Sequence, residues 1–314
     1  MNRQVVFFDD TARSWERALY AFLAEKERRS GSRRTVESYS RMVQDFFGRQ
    51  SKQPDEVKGP DVFAWAHGKG TSGKTPSAVT IGARIACLSS FYKFLIRMDI
   101  VSSNPCDALE RPRIEPSPPS GLSAEEIRRL LNAIPKTKSG LRDSAIILTL
   151  TLTGRRRTEV LSLTRGDLSE DGGAVYYNYR GKGGKRGKRE LPRPAVEAIQ
   201  AALAAWGKSL ETMEPGESLW PTDHEERAAN GLGLTAGTFY ASLRRYLRKA
   251  GLPASGVHVL RHSAAKLRRD AGETVEDVSR FLDHSSLAVT TVYLRRLEGQ
   301  EDKSWQKVAA AIGV

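Results

Sequence analysis

The chain has 314 residues, with 50 Lys and Arg against 37 Asp and Glu, a net charge of +13 and a pI near 9.8. At about 100–200 residues per domain this length predicts two domains, and 39% hydrophobic with 28% charged residues excludes wholesale disorder. Two cysteines, Cys87 and Cys106, exclude a disulfide framework and a four-cysteine zinc site, while the positive excess points to a polyanionic partner, most often nucleic acid.

The stretch from Met1 to Asp10 lacks the apolar run of a signal peptide. Trp15, Ala18, Leu19, Phe22 and Leu23 recur at helical spacing, and so do Val36, Tyr39, Val43, Phe46 and Phe47. Val62, Phe63 and Trp65 predict a shorter helix, and a Gly/Ser/Thr/Lys loop runs from Gly68 to Pro76. Ile81, Ile85, Leu88, Tyr92, Leu95 and Ile96 mark a fourth helix, whose aromatic residues read as core. Four helices without a strand signal predict a small bundle over residues 1–111. From Arg111 to Gly121 four prolines forbid helix and favour an extended connector, placed at 112–120. The connector leaves +5 on residues 1–112 and +8 on residues 121–314, so both lobes are basic.

The second lobe, 121–314, reads as mixed α and β. Ser123-Ala124-Glu125-Glu126 is a capping box that opens a helix carrying Ile127, Leu130, Leu131 and Ile134. Ala145 to Thr153 is ambiguous, since its Leu/Thr alternation suits a strand and its apolar character a buried helix. It is also taken as the longest apolar stretch, far too short to span a bilayer. Ala174 to Tyr179 is strand-like and runs into the basic stretch Gly181 to Arg189; a second short strand at Glu190-Leu191-Pro192 completes a predicted hairpin with a long basic tip. Helices follow around Val196–Trp206, Thr235–Ala250, His258–Ala271 (with Gly272 just past its end) and from Thr274 onward. With reduced thiols and no membrane span, a cytoplasmic protein is expected.

Three clusters carry possible chemistry. Thr153-Gly154-Arg155-Arg156-Arg157-Thr158-Glu159-Val160 sets guanidinium groups at a helix start, an arrangement suited to phosphate. The hairpin tip carries Lys182, Lys185 and Lys188. The third cluster gathers three of the five histidines, with Arg261, between Gly256 and Tyr293. The chain lacks a GxxxxGK[ST] loop, and its histidines show no metal-ligand spacing, so neither nucleotide-driven work nor a metal is expected.

Together these clusters resemble the tyrosine recombinases, or phage-type integrases, in their Xer-like two-domain form. The first cluster resembles the arginine box T-G-x-R-x-x-E-[LV], which implies Arg156 as a catalytic arginine buttressed by Glu159. Gly181-Lys182-Gly183 resembles the catalytic-lysine turn, with Lys182 favoured over Lys185 and Lys188. His258-Val259-Leu260-Arg261-His262 is similar to H-x-L-R-H, implying His258 and Arg261. Leu282-Asp283-His284-Ser285-Ser286 resembles L-G-H-S-S, implying His284, and Thr290-Thr291-Val292-Tyr293 implies Tyr293 as nucleophile. Asp283 stands where the family usually has Gly, so the turn before His284 needs another backbone solution.

The resemblance implies a mainly α fold, with a four-helix, SAM-like core-binding domain and a mixed α+β catalytic domain containing a small sheet or hairpin. It also implies double-stranded DNA bound as in a clamp, cleavage through a 3′-phosphotyrosyl intermediate, no cofactor, and a homo-tetramer on two DNA sites. Residues expected to touch DNA are Arg155, Lys185, Lys188, and Arg244, Arg245 and Arg248. A C-terminal tail with Trp305, Val308, Ala309 and Ile312 is expected to dock on a neighbouring protomer. The alternatives are a type IB topoisomerase-like relaxase, sharing the chemistry, and a DNA-binding regulator that has lost catalysis.

Overall fold

The computed structural model describes residues 14–70, 73–113, 121–180 and 186–283. The chain divides into two compact units, residues 1–116 and 117–314.

The first unit is built from α1 (Ser14–Ser30), α2 (Arg33–Gly48), α3 (Gly59–His67) and α4 (Ala78–Arg97). Polar residues start these helices. Ser32 and Ser77 accept the Thr35 and Thr80 amides at the heads of α2 and α4, and Asp61 accepts the Lys58 amide at the head of α3. The apolar stripes meet in one aromatic core of Trp15, Phe22, Phe46, Phe47, Trp65 and Phe91. Trp15 stacks on Phe47 at 5.1 Å and Phe22 meets Phe91 edge-on at 5.3 Å. Among the described residues, α4 is the one helix long and apolar enough, by length and composition, to cross a membrane, a feature the sequence reading did not single out. Here Ile85, Leu88, Phe91, Tyr92 and Leu95 of α4 are buried in the bundle core. Cys87 and Cys106 are both buried and unbridged, and burial pushes each thiol up to about 12.

The second unit begins with α5 (Ala124–Asn132), where Ser123 and Glu126 exchange the expected capping-box bonds of 3.2 and 2.7 Å. The ambiguous segment is a helix, α6 (Lys138–Thr153). Two of its buried threonines are satisfied because the hydroxyl returns to the carbonyl one turn back, Thr149 to Ala145 and Thr153 to Thr149, whereas the buried Thr151 hydroxyl has no hydrogen-bond partner among the described residues. α7 (Arg157–Leu161) follows after a turn at Gly154, and a 3₁₀ turn at Arg165–Asp167 leads into the sheet.

The sheet has three antiparallel strands in the order β1 (Leu168–Asp171), β2 (Ala174–Arg180) and β3 (Arg186–Glu190). Two corrections arise here. Strand β1 is additional; it turns into β2 through Gly172 and Gly173, both at positive φ (58° and 79°) as a tight hairpin requires. Strand β3 takes up the second half of the basic run, so Lys188 pairs with Asn178 inside the sheet rather than belonging to the tip.

The unit continues through α8 (Arg193–Ala205), the short α9 (Glu225–Ala229), α10 (Ala236–Lys249), α11 (His258–Asp270) and α12 (Val275–Phe281). Helix α6 lies at the centre. Ile146, Ile147 and Leu150 share one core with Ile199 and Leu203 of α8, Leu243 and Leu247 of α10, and Leu260 of α11. The Trp220 indole, fully buried, donates to the Val160 carbonyl at 2.6 Å and anchors α7 to this core.

Candidate active site

The site is assembled on the turn that ends α6. Gly154 caps that helix at φ 60°, a conformation that favours glycine, and its amide closes on the Leu150 carbonyl at 3.0 Å. It also has no room for a side chain, because a Cβ there would meet Phe281 at 2.5 Å and Leu282 at 2.8 Å. The end of α12 is thereby packed directly on the arginine turn.

Arg156 stands at the head of α7. The Glu159 carboxylate is buried (3% exposed) and accepts both the Arg156 amide at 2.9 Å and its guanidinium at 2.8 Å. One carboxylate therefore starts the helix and aims the cation, whose side chain is 29% exposed. Arg261, on the first turn of α11 and 5% exposed, donates to the carbonyls of Gly154 and Leu282, each at 2.6 Å. This pins a second guanidinium between the arginine turn and the end of α12.

His258 opens α11 one turn before Arg261. Its pKa is drawn below the ordinary imidazole value, first by burial and then by the positive field of Arg157, Arg261 and Arg156. The neutral imidazole is thus favoured beside fixed positive charge, which leaves a nitrogen lone pair able to accept a proton. Arg156 and the His258–Arg261 pair, more than 100 positions apart in the chain, come together around one turn.

Other predicted residues fare differently. Arg155, expected on DNA, is instead 1% exposed. Its guanidinium is consumed by Asp283 and the Phe281 carbonyl, and it lies over the Tyr179 ring at 4.7 Å. The structure thus spends this cation on partners inside the protein, where the sequence reading expected it on DNA. Lys188 is exposed on β3 with its ammonium 4.8 Å over the Tyr176 ring. Arg244, Arg245 and Arg248 are exposed on α10, on the face opposite buried Leu243, Tyr246 and Leu247. Lys182, Lys185, His284, Tyr293 and the tail residues Trp305, Val308, Ala309 and Ile312 lie outside the described residues.

The sequence reading missed the group around Asp283. Its φ of 51° is left-handed, the backbone answer to the absent glycine, and its carboxylate gathers Arg155, Tyr179 and Arg189. Asp283 was visible as a departure, but its partners were not.

A phage integrase family model matches residues 121–299. The chain belongs to the phage integrase family of tyrosine recombinases. Among its relatives, the tyrosine recombinase XerC of Syntrophus aciditrophicus is 32% identical over 217 residues, covering 68% of this chain and 69% of the relative. XerC of Pelotomaculum thermopropionicum is 30% identical over 288 residues, 84% of this chain and 88% of the relative. In fold this recombinase is similar to a lambda integrase tetramer bound to a Holliday junction, with a TM-score of 0.68, 18% identity, and coverage of 94% of this chain and 80% of that one.

Proposed function

We infer that this tyrosine recombinase cleaves and rejoins double-stranded DNA at specific sites, and that Arg156, Arg261 and His258 form the described part of its active centre. The observation that carries this reading is their convergence: two anchored guanidinium groups and an imidazole biased toward its neutral form share the turn at Gly154.

In the reaction we propose, the Tyr293 hydroxyl attacks a backbone phosphorus. A phosphorus–oxygen bond to tyrosine forms as the bond to the 5′ oxygen breaks, leaving a 3′-phosphotyrosyl link and a 5′ hydroxyl. A phenol with a pKa of about 10 is a weak nucleophile at neutral pH, and His258 accepts its proton. Arg156 and Arg261 stabilise the charge that develops on the non-bridging oxygens, a role for which preorganised donors are most effective. Lys182 protonates the leaving oxygen and His284 donates to a phosphate oxygen. The second step reverses the first with a 5′ hydroxyl from the partner strand, so the covalent intermediate conserves the bond and no nucleotide is spent.

Exchange between two duplexes requires four cleavages. A lambda integrase of similar fold is a tetramer on a Holliday junction, and we extend that assembly to this chain as a homo-tetramer on two sites. The helical lobe (residues 1–111), joined through 112–120, serves as the second half of the DNA grip.

The deciding experiment uses a nicked suicide substrate. Tyr293→Phe binds DNA like the unaltered protein but forms no covalent adduct; an adduct in that variant removes Tyr293 as nucleophile. A two-site assay separates recombination from simple relaxation of supercoils.

A further inference from the structure

Asp283 occupies a conformation that glycine adopts freely and side-chain-bearing residues rarely do, at φ 51°. Its carboxylate is the common acceptor for donors from three separate segments. Arg155 comes from the arginine turn, Tyr179 from β2, and Arg189 from β3, the last at 2.6 Å. Two of these donors also bind neighbouring backbone: Arg155 donates to the Phe281 carbonyl and Arg189 to the Arg280 carbonyl at 3.0 Å. Tyr179 reaches the carboxylate by lying across Gly187, where a Cβ would come within 2.5 Å of its ring. Burial alone would raise the Asp283 pKa, but the Tyr179 hydrogen bond and the charge of Arg155 outweigh it and hold the carboxyl below the usual range. The group is therefore an ionised hub with fixed partners on three sides.

The chain positions of these partners are informative. Arg155 immediately precedes Arg156, Tyr179 and Arg189 lie on the two strands that flank Lys182, and Asp283 immediately precedes His284. We propose that Asp283 is a positioning residue for strand cleavage, fastening the segment that enters His284 to the arginine turn and to the lysine hairpin. The inference rests on the catalytic reading given above. Asp283 acts through its neighbours and takes no part in the bond changes. Charged hydrogen bonds with defined directions select one relative placement of the three segments, where apolar contacts alone would tolerate several.

The test is single-turnover adduct formation on the suicide substrate by the full chain, measured beside DNA affinity and thermal unfolding. Asp283→Asn keeps a residue that tolerates left-handed backbone but removes the charge. Arg155→Met removes the opposite charge and keeps much of the volume. Each slows adduct formation by about tenfold or more, the penalty for misplaced reacting groups, while DNA affinity is retained. The double variant is no slower than the slower single one, since both break the same link. Asp283→Gly, with an unstrained backbone and no carboxylate, is slowed like Asp283→Asn. If Arg155→Met does not fold, Tyr179→Phe replaces it in the cycle.

A residue that only stabilises the fold would lower the unfolding midpoint and leave the rate constant of the folded fraction unchanged. That result, or losses that multiply in the double variant, overturns the proposal. Tyr293→Phe is run alongside. An adduct persisting there overturns the catalytic reading and this proposal with it; an adduct lost there, with normal rates in Asp283→Asn and Asp283→Gly, overturns this proposal alone.

Discussion

Burial and three nearby arginines, Arg157, Arg261 and Arg156, disfavour the protonated form of His258. The sign of the resulting pH dependence follows from linkage. In the unfolded chain this imidazole takes up a proton near its ordinary pKa of about 6.5, whereas the folded protein resists until lower pH. Stability is therefore lost as the pH falls through the interval between the two values, and the loss levels off below the folded pKa. NMR titration of the DNA-free protein should give His258 a midpoint below that of an unfolded reference peptide; a midpoint at or above the reference contradicts the field described. The adjoining arginines show how far single residues were legible. The pairing of Arg156 with Glu159 was implied by the resemblance to the arginine box, and the structure supplies its physical reason: three positions on a helix start bring a carboxylate back to the first residue. Nothing local distinguished Arg155 from its neighbours. Its burial depends on Asp283, 128 positions away, and a run of three arginines reads as one solvated patch until that partner is placed.

Among the elements, the α6–α7 turn bears most directly on the site. Replacing Gly154 by Ala forces a side chain into left-handed backbone, at about 1–2 kcal/mol, and drives it into Phe281 and Leu282, at about 1–3 kcal/mol for overpacking. Urea unfolding should show a loss of that combined order and slower DNA cleavage, because the Gly154 carbonyl holds Arg261; an unchanged midpoint refutes the packing. Helices with capping residues and long apolar stripes were readable in sequence. The failures have physical causes. In α6 the partly exposed positions Leu141, Ser144, Leu148 and Leu152 do follow helical spacing, but buried threonines between them imitate strand alternation. Strand β3 contains Arg186-Gly187-Lys188-Arg189-Glu190 and no apolar alternation, so its conformation is imposed by pairing with the tyrosine-rich β2. The short β1 was announced only by the Gly172-Gly173 turn.

For the molecule as a whole, the two basic lobes, +5 and +8, imply binding dominated by displaced counterions. The logarithm of DNA affinity should fall with the logarithm of salt concentration, with a slope of about −0.9 per phosphate contact. Arg244→Ala, Arg245→Ala and Arg248→Ala, on the exposed face of α10, should each flatten that slope by about one contact; a slope unchanged in all three removes this face from the interface. Charge and the division into two lobes were plain in composition, whereas the use of each cation was not, since Arg155 is spent inside the protein. The only two thiols, Cys87 and Cys106, sit in the helical core with pKa values raised to about 12. At neutral pH they are chemically quiet toward maleimides. A cysteine introduced at an exposed position outside the α10 face, such as Glu197 on α8, therefore becomes a unique attachment point for a fluorophore, and energy transfer between labelled copies can count and time the proposed gathering of protomers on DNA, without first stripping the native cysteines from the chain.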